Sequence, residues 1–180
     1  MEITVEITDY CPNDCEYCST NAGVDKNRML STIEVETFLV DVSKTNDIDR
    51  INISGGEPLA NPEFYSILQV CKSFTDNVWI YTNAITQVLY NTNIVKEIKV
   101  EANVCLMPCR EVYIPESADK VHLLQLVPQG RAKDIKPAKF HVSGNILGKH
   151  KCAECSHKLL QADGKIVATP CKKEYNCDKS

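Results

Sequence analysis

The sequence predicts an α/β fold: a reduced, partial parallel barrel of β/α units over residues 1–140, followed by a small Cys-rich β-hairpin extension over residues 141–180. Three observations lead there. Short β-branched runs alternate with amphipathic stretches, the pattern of parallel βαβ units. Five such strands fit within about 130 residues, whereas a closed eight-fold barrel needs about 250. After Gly130 the chain turns basic and turn-rich, and carries Cys152, Cys155, Cys171 and Cys177 of its 10 cysteines.

Residues 3–7 (ITVEI) alternate and predict the first strand, with a cysteine-bearing loop directly after it. Ser31 or Thr32 is placed to cap a helix to about Lys44, with Ile33, Val35, Phe38 and Leu39 on its apolar stripe. Residues 50–54 (RINIS) read as a second strand, ended by Gly55-Gly56. Asn61-Pro62 opens a second helix, Asn at the cap and Pro in the first turn, with Phe64, Ile67, Leu68 and Cys71 on its buried face. Residues 78–81 form a third strand, broken at Thr82-Asn83. A short helix near residues 87–90 follows, then a fourth strand over residues 97–104 and another over 121–127, stopped by Pro128. Residues 105–120 read as irregular. In the extension, residues 158–161 and 165–169 flank Asp163-Gly164, a hairpin signal.

Composition narrows the function classes. No apolar run approaches the roughly 20 residues a membrane span needs. The N-terminus carries two glutamates and no basic residue, unlike a signal peptide, so the expected compartment is the cytoplasm. In a reducing compartment clustered cysteines point to metal or redox chemistry rather than disulfides. Residues 1–120 hold 9 Lys and Arg against 19 Asp and Glu, and residues 121–180 hold 11 against 5. A cationic tail complements an acidic body and an anionic metal–thiolate cluster, and it suits an anionic substrate. Neither a membrane nor a nucleic acid is expected as partner.

The chemistry-bearing run is Cys11-Pro-Asn-Asp-Cys15-Glu-Tyr-Cys18, a C-x3-C-x2-C spacing. Three thiolates on a [4Fe–4S] cube leave one iron without a protein ligand, an open position for a substrate. A zinc site would more often show paired CxxC units. The second strand ends in Ser54-Gly55-Gly56-Glu57-Pro58, where two glycines permit close backbone approach to a ligand and Glu57 supplies an acceptor for an ammonium group.

Together these residues resemble the radical SAM superfamily, whose signature is CxxxCxφC, with φ aromatic, followed by GGE after the second strand. Tyr81-Thr82-Asn83-Ala84 resembles the segment ending the third strand in many members, and residues 126–132 (LVPQGRA) resemble the segment leaving the last barrel strand, where backbone passes near the adenine. The resemblance implies the partial barrel. It implies that Cys11, Cys15 and Cys18 hold a [4Fe–4S] cluster and that the S-adenosylmethionine amine and carboxylate chelate the open iron. Gly55, Gly56 and Glu57 would hold the methionine ammonium, and Tyr17 would lie near the adenine. Asn83, Glu101 and Asn103 are the ribose candidates, with turn or solvated positions as the alternative. An external electron donor such as a flavodoxin or ferredoxin is implied, and hydrogen abstraction from a substrate follows.

The C-terminal set has the spacing C-x2-C-x15-C-x5-C. Four thiolates close either a zinc site or a full cubane. Residues 160–171, from Leu160 through Asp163-Gly164 to Pro170-Cys171, resemble the hairpin of twitch and SPASM extensions, with two extra residues before Pro-Cys. That resemblance implies an auxiliary [4Fe–4S] cluster for electron transfer. Cys105 and Cys109 are either buried structural thiols or additional ligands. The expected substrate is a peptide or protein; a small anionic nucleoside- or sugar-type molecule is the alternative, and a glycyl-radical activase a further one.

Overall fold

The computed structural model describes residues 1–83, 101–106, 120–125, 130–134 and 158–167. Two consecutive strand–helix–strand units build the core: β1 (Glu2–Glu6), α1 (Thr32–Ser43), β2 (Arg50–Ser54), α2 (Phe64–Phe74) and β3 (Val78–Ile80). The strands are parallel, with Ile3 opposite Ile51 and Ile53 opposite Ile80. Alternation explains the layering, since successive strand side chains point to opposite faces. Ile3, Val5, Ile51 and Ile53 turn toward the helices and are wholly buried with Val35, Leu39 and Ile67.

α1 starts where the sequence predicts, on a capping box. The Glu34 N–H donates to the Ser31 hydroxyl at 3.3 Å, and the Glu34 carboxylate accepts the Ser31 N–H at 2.8 Å. Its buried stripe is Val35, Phe38, Leu39 and Val42. Ile33 is not part of it and is 73% exposed. At about 3.6 residues per turn, Ile33 stands nearly opposite Val35 and Val42.

α2 begins at Phe64, beyond the expected Asn61-Pro62 start. A 3-10 turn, Pro58–Ala60, comes first. Asn61 is buried and its amide donates to the carbonyls of Ile7 (2.8 Å) and Leu30 (2.9 Å), so it joins the exit of β1 to the entry of α1. The buried face of α2 is Phe64, Ile67, Leu68 and Cys71, as expected.

β4 (Glu101–Leu106) and β5 (Lys120–Gln125) form a separate parallel pair. Cys105 and Leu106 are therefore strand rather than irregular. The short helix expected near residues 87–90 lies outside the described residues. β6 (Lys158–Leu160) and β7 (Ile166–Val167) pair antiparallel around Asp163-Gly164. β6 also lies parallel on the free edge of β1, with Val5 opposite Leu160, giving the sheet order β3-β2-β1-β6-β7.

The sheet face away from the helices is polar. The Arg50 guanidinium lies 4.2 Å from the centre of the Trp79 ring and donates to Asn52 at 2.8 Å. Asn52, buried between strands, donates to Glu2 at 2.7 Å. Among the described residues no helix is long and apolar enough to cross a membrane.

Candidate functional site

The site gathers where the first three strands end. Ile7 extends the β1–β2 ladder by donating to the Ser54 carbonyl at 2.9 Å. The Gly56 N–H then donates to the Thr8 carbonyl at 2.7 Å and the Glu57 N–H to the Tyr10 carbonyl at 2.8 Å. The two exits thus travel together to the first cysteine. Gly55 has φ 135°. A Cβ there would lie 2.3 Å from the Thr8 oxygen, and one on Gly56 would lie 2.1 Å from the Tyr10 oxygen. The close approach that requires these glycines is made by the chain's own backbone.

Glu57 is wholly buried. One carboxylate oxygen accepts the Leu59 N–H at 3.0 Å and the Thr82 hydroxyl at 2.8 Å; the other accepts the Asn83 N–H at 2.8 Å. The carboxylate therefore binds the exit of β2 to the exit of β3. A carboxylate offers about four lone-pair positions. Among the described residues three are used, which leaves one on Oε2.

The cysteine loop is hung from a paired neck. Tyr10 bridges Gly23, and Thr8 bridges Met29. The Cys11 N–H donates to the Gly23 carbonyl at 3.1 Å, and the Arg28 N–H to the Asp9 carboxylate at 2.8 Å. Within the loop the Cys18 N–H donates to the Cys15 carbonyl at 3.1 Å. Cys11, Cys15 and Cys18 are all free, half-buried thiols. Burial pushes the Cys11 thiol up; the Asn13 backbone opposes this, while negative charge at Cys15, Glu57 and Cys18 adds to it. Cys11 is thus an electrostatic neighbour of Cys15, Cys18 and Glu57.

Three thiols are the ligand chemistry of an iron–sulfur cluster, and among the described residues no three His, Cys, Asp or Glu side chains are grouped to hold a single metal ion.

Tyr17 is half-buried in the same loop, and Asn83 is held at the site through Glu57. Glu101 opens β4 rather than standing near its end, because the described strand runs on to Leu106. Cys109, Cys152, Cys155, Cys171 and Cys177 lie outside the described residues. Three residues shape the site beyond what the sequence predicts of them: Thr82, expected only to help break the third strand; Asn61, expected only to cap a helix; and Arg131, a member of the 126–132 segment. An open depression of about 400 Å³ beyond the third cysteine, lined by Asp9, Asn21, Asp25 and Arg28 among others, contains none of the thiols.

Residues 5–103 match the family described as the Radical SAM superfamily, and the chain belongs to it. Its relatives include peptide cyclases and GTP cyclases. A PqqA peptide cyclase of Bradyrhizobium diazoefficiens is 31% identical over 93 residues, covering 51% of this chain and 23% of that protein. A probable GTP 3',8-cyclase of Methanococcus aeolicus is 28% identical over 159 residues, covering 81% of this chain and 52% of that protein. The chain thus spans from about a quarter to about half the length of these relatives. Among solved structures, Streptococcus suis SuiB bound to precursor peptide SuiA aligns with 68% of this chain and 23% of that one, at 16% identity and TM-score 0.41.

Proposed function

We propose that this chain is a radical SAM enzyme that holds a [4Fe–4S] cluster on Cys11, Cys15 and Cys18 and abstracts hydrogen from a peptide or protein substrate. The observation that carries the reading is the joining of three strand exits into one site by Gly56, Glu57, Thr82 and Asn83 beside the three thiols. When bound, the cluster supplies the electron that cleaves S-adenosylmethionine to methionine and a 5′-deoxyadenosyl radical. The protein's own residues bind, orient and exclude water. The remaining lone pair of Glu57 and the Gly55-Gly56 backbone take the methionine ammonium. Tyr17 takes the adenine, and Asn83 the ribose. The strands form a partial barrel of residues 1–140, completed by a twitch-like extension of residues 141–180 whose hairpin docks on β1. Cys152, Cys155, Cys171 and Cys177 hold an auxiliary [4Fe–4S] cluster for electron transfer, with zinc as the alternative. A flavodoxin or ferredoxin in the cytoplasm supplies the electrons.

The relatives named PqqA peptide cyclase support a peptide substrate. A second reading has its own support: two of the GTP 3',8-cyclase relatives align over 77% and 81% of this chain, further than the peptide cyclases at 51% and 48%, although a third aligns over 45%. A small anionic nucleotide is therefore the alternative substrate.

Anaerobically reconstituted, reduced protein should cleave S-adenosylmethionine to 5′-deoxyadenosine, and Cys15→Ala should abolish this. Normal cleavage by that variant overturns the cluster assignment. Deuterium transfer into 5′-deoxyadenosine from a labelled peptide, against labelled GTP, separates the two substrate readings.

A further inference from the structure

The short 3-10 turn Gly130–Asp134 is remote in sequence from the cysteine loop yet packs against it. Three contacts make the join. The Arg131 N–H donates to the Cys18 carbonyl at 3.0 Å. Its Nε donates to the Cys15 carbonyl at 2.9 Å. Its Nη1 pairs with Asp14 Oδ1 at 3.0 Å. Asp14 lies between the first two cysteines and has φ 40°, in the left-handed region that Asp adopts more readily than most non-glycine residues.

The junction is tight on both sides. Gly130 has φ 57°, and a Cβ there would lie 2.6 Å from the carbonyl oxygens of Cys18 and Ser19. A Cβ on Gly23 would lie 2.8 Å from Asp14 Oδ1 and 3.1 Å from Arg131 Nη1. Ala132, the next residue of the turn, is wholly buried and anchors it. The Cys15 carbonyl, with two lone pairs, accepts both the Cys18 N–H and Arg131 Nε. Arg131 Nη2 is buried and has no acceptor among the described residues.

We propose that Arg131 is a positioning residue for the cluster: it fixes the second and third cysteines through their carbonyls and leaves Nη2 as a donor to the bound group. This deepens the reading of Cys11, Cys15 and Cys18 as cluster ligands and rests on it. The guanidinium holds the loop at Cys15 and Asp14, and the Arg131 backbone N–H holds it at Cys18. Lysine would keep the charge but lose the fork. Second-sphere partners of metal ligands typically account for about 10–100-fold in metal affinity.

The test uses the full chain, reconstituted anaerobically. It follows the cluster whose electron paramagnetic resonance signal shifts when S-adenosylmethionine is added. In a chelator challenge, Arg131→Gln and Arg131→Lys should both lose that cluster about 10–100-fold faster than wild type. The reduced-cluster spectrum should change in both. Gly130→Ala should do the same while keeping the arginine, and Asp14→Asn should produce a smaller acceleration. Melting curves identify any variant that has simply unfolded, in which case Asp14→Asn decides. Wild-type retention and an unchanged spectrum in the folded Arg131 variants overturn the proposal alone. If the Cys11/Cys15/Cys18 triple-alanine protein keeps the responsive cluster, the ligand reading fails and the proposal with it.

Discussion

Glu57 reaches across from the exit of β2 to accept the Thr82 hydroxyl at 2.8 Å at the exit of β3. The same buried carboxylate accepts two backbone N–H groups, so one side chain sets the relative position of two strand ends. A hydrogen bond to a charged group contributes about 1.5–3 kcal/mol. Thr82→Val should therefore cost about that much in urea unfolding, because the valine is near in shape but has no hydroxyl. Glu57→Ala strands three donors and should cost about 3 kcal/mol or more. A Glu57→Ala protein as stable as wild type would show that the carboxylate does not join the strands.

Gly55→Ala should be among the most damaging small substitutions in the core. The φ of 135° disfavours any Cβ, and the added carbon would lie 2.3 Å from the Thr8 oxygen. Backbone strain of this kind costs of order 1–3 kcal/mol before the clash is counted. The expected outcome is a lowered melting temperature together with reduced iron after reconstitution. Gly164→Ala is the control: it also has positive φ, 78°, but nothing lies within 4 Å of its would-be Cβ. It should lower stability less and leave iron content unchanged.

Acid should loosen the start of α1. Hydrogen bonds from the Ser31 backbone and hydroxyl hold the Glu34 carboxyl below its ordinary value of 4.5. The Thr32 hydroxyl and backbone do the same for Glu63. A depressed carboxyl contributes stability above its unfolded value and loses it as pH falls through the folded value. The urea midpoint should therefore fall below about pH 4.5. The fall should be shallower in the Glu34→Gln/Glu63→Gln protein; equal slopes would remove these groups from the account.

Iron content separates the two cysteine sets. Two [4Fe–4S] clusters would give about eight irons per chain. The Cys11/Cys15/Cys18 triple-alanine protein should keep about four of them on the C-terminal cysteines. One zinc and no iron in that protein would replace the auxiliary cluster with a zinc-stapled hairpin.

The sequence by itself determined what is local. Alternation marked β1, a run ended by Gly55-Gly56 marked β2, Ser31 or Thr32 marked the start of α1, and the spacing of Cys11, Cys15 and Cys18 with Gly55-Gly56-Glu57 marked the chemistry. These signals are carried within a few residues, where pleat, helical pitch and loop length act directly. The tertiary structure decided the rest. It turned Ile33 outward, drew Asn61 from helix cap to a buried link between Ile7 and Leu30, and placed β6 on the free edge of β1. It gave Gly55 and Gly56 the Thr8 and Tyr10 carbonyls as neighbours. It also brought Arg131 onto Cys15 across a separation of 116 residues. No local period encodes such a contact. The Cys15 carbonyl has a second lone pair after accepting the Cys18 N–H, and the folded chain supplies its donor from wherever the packing of strands and helices delivers one.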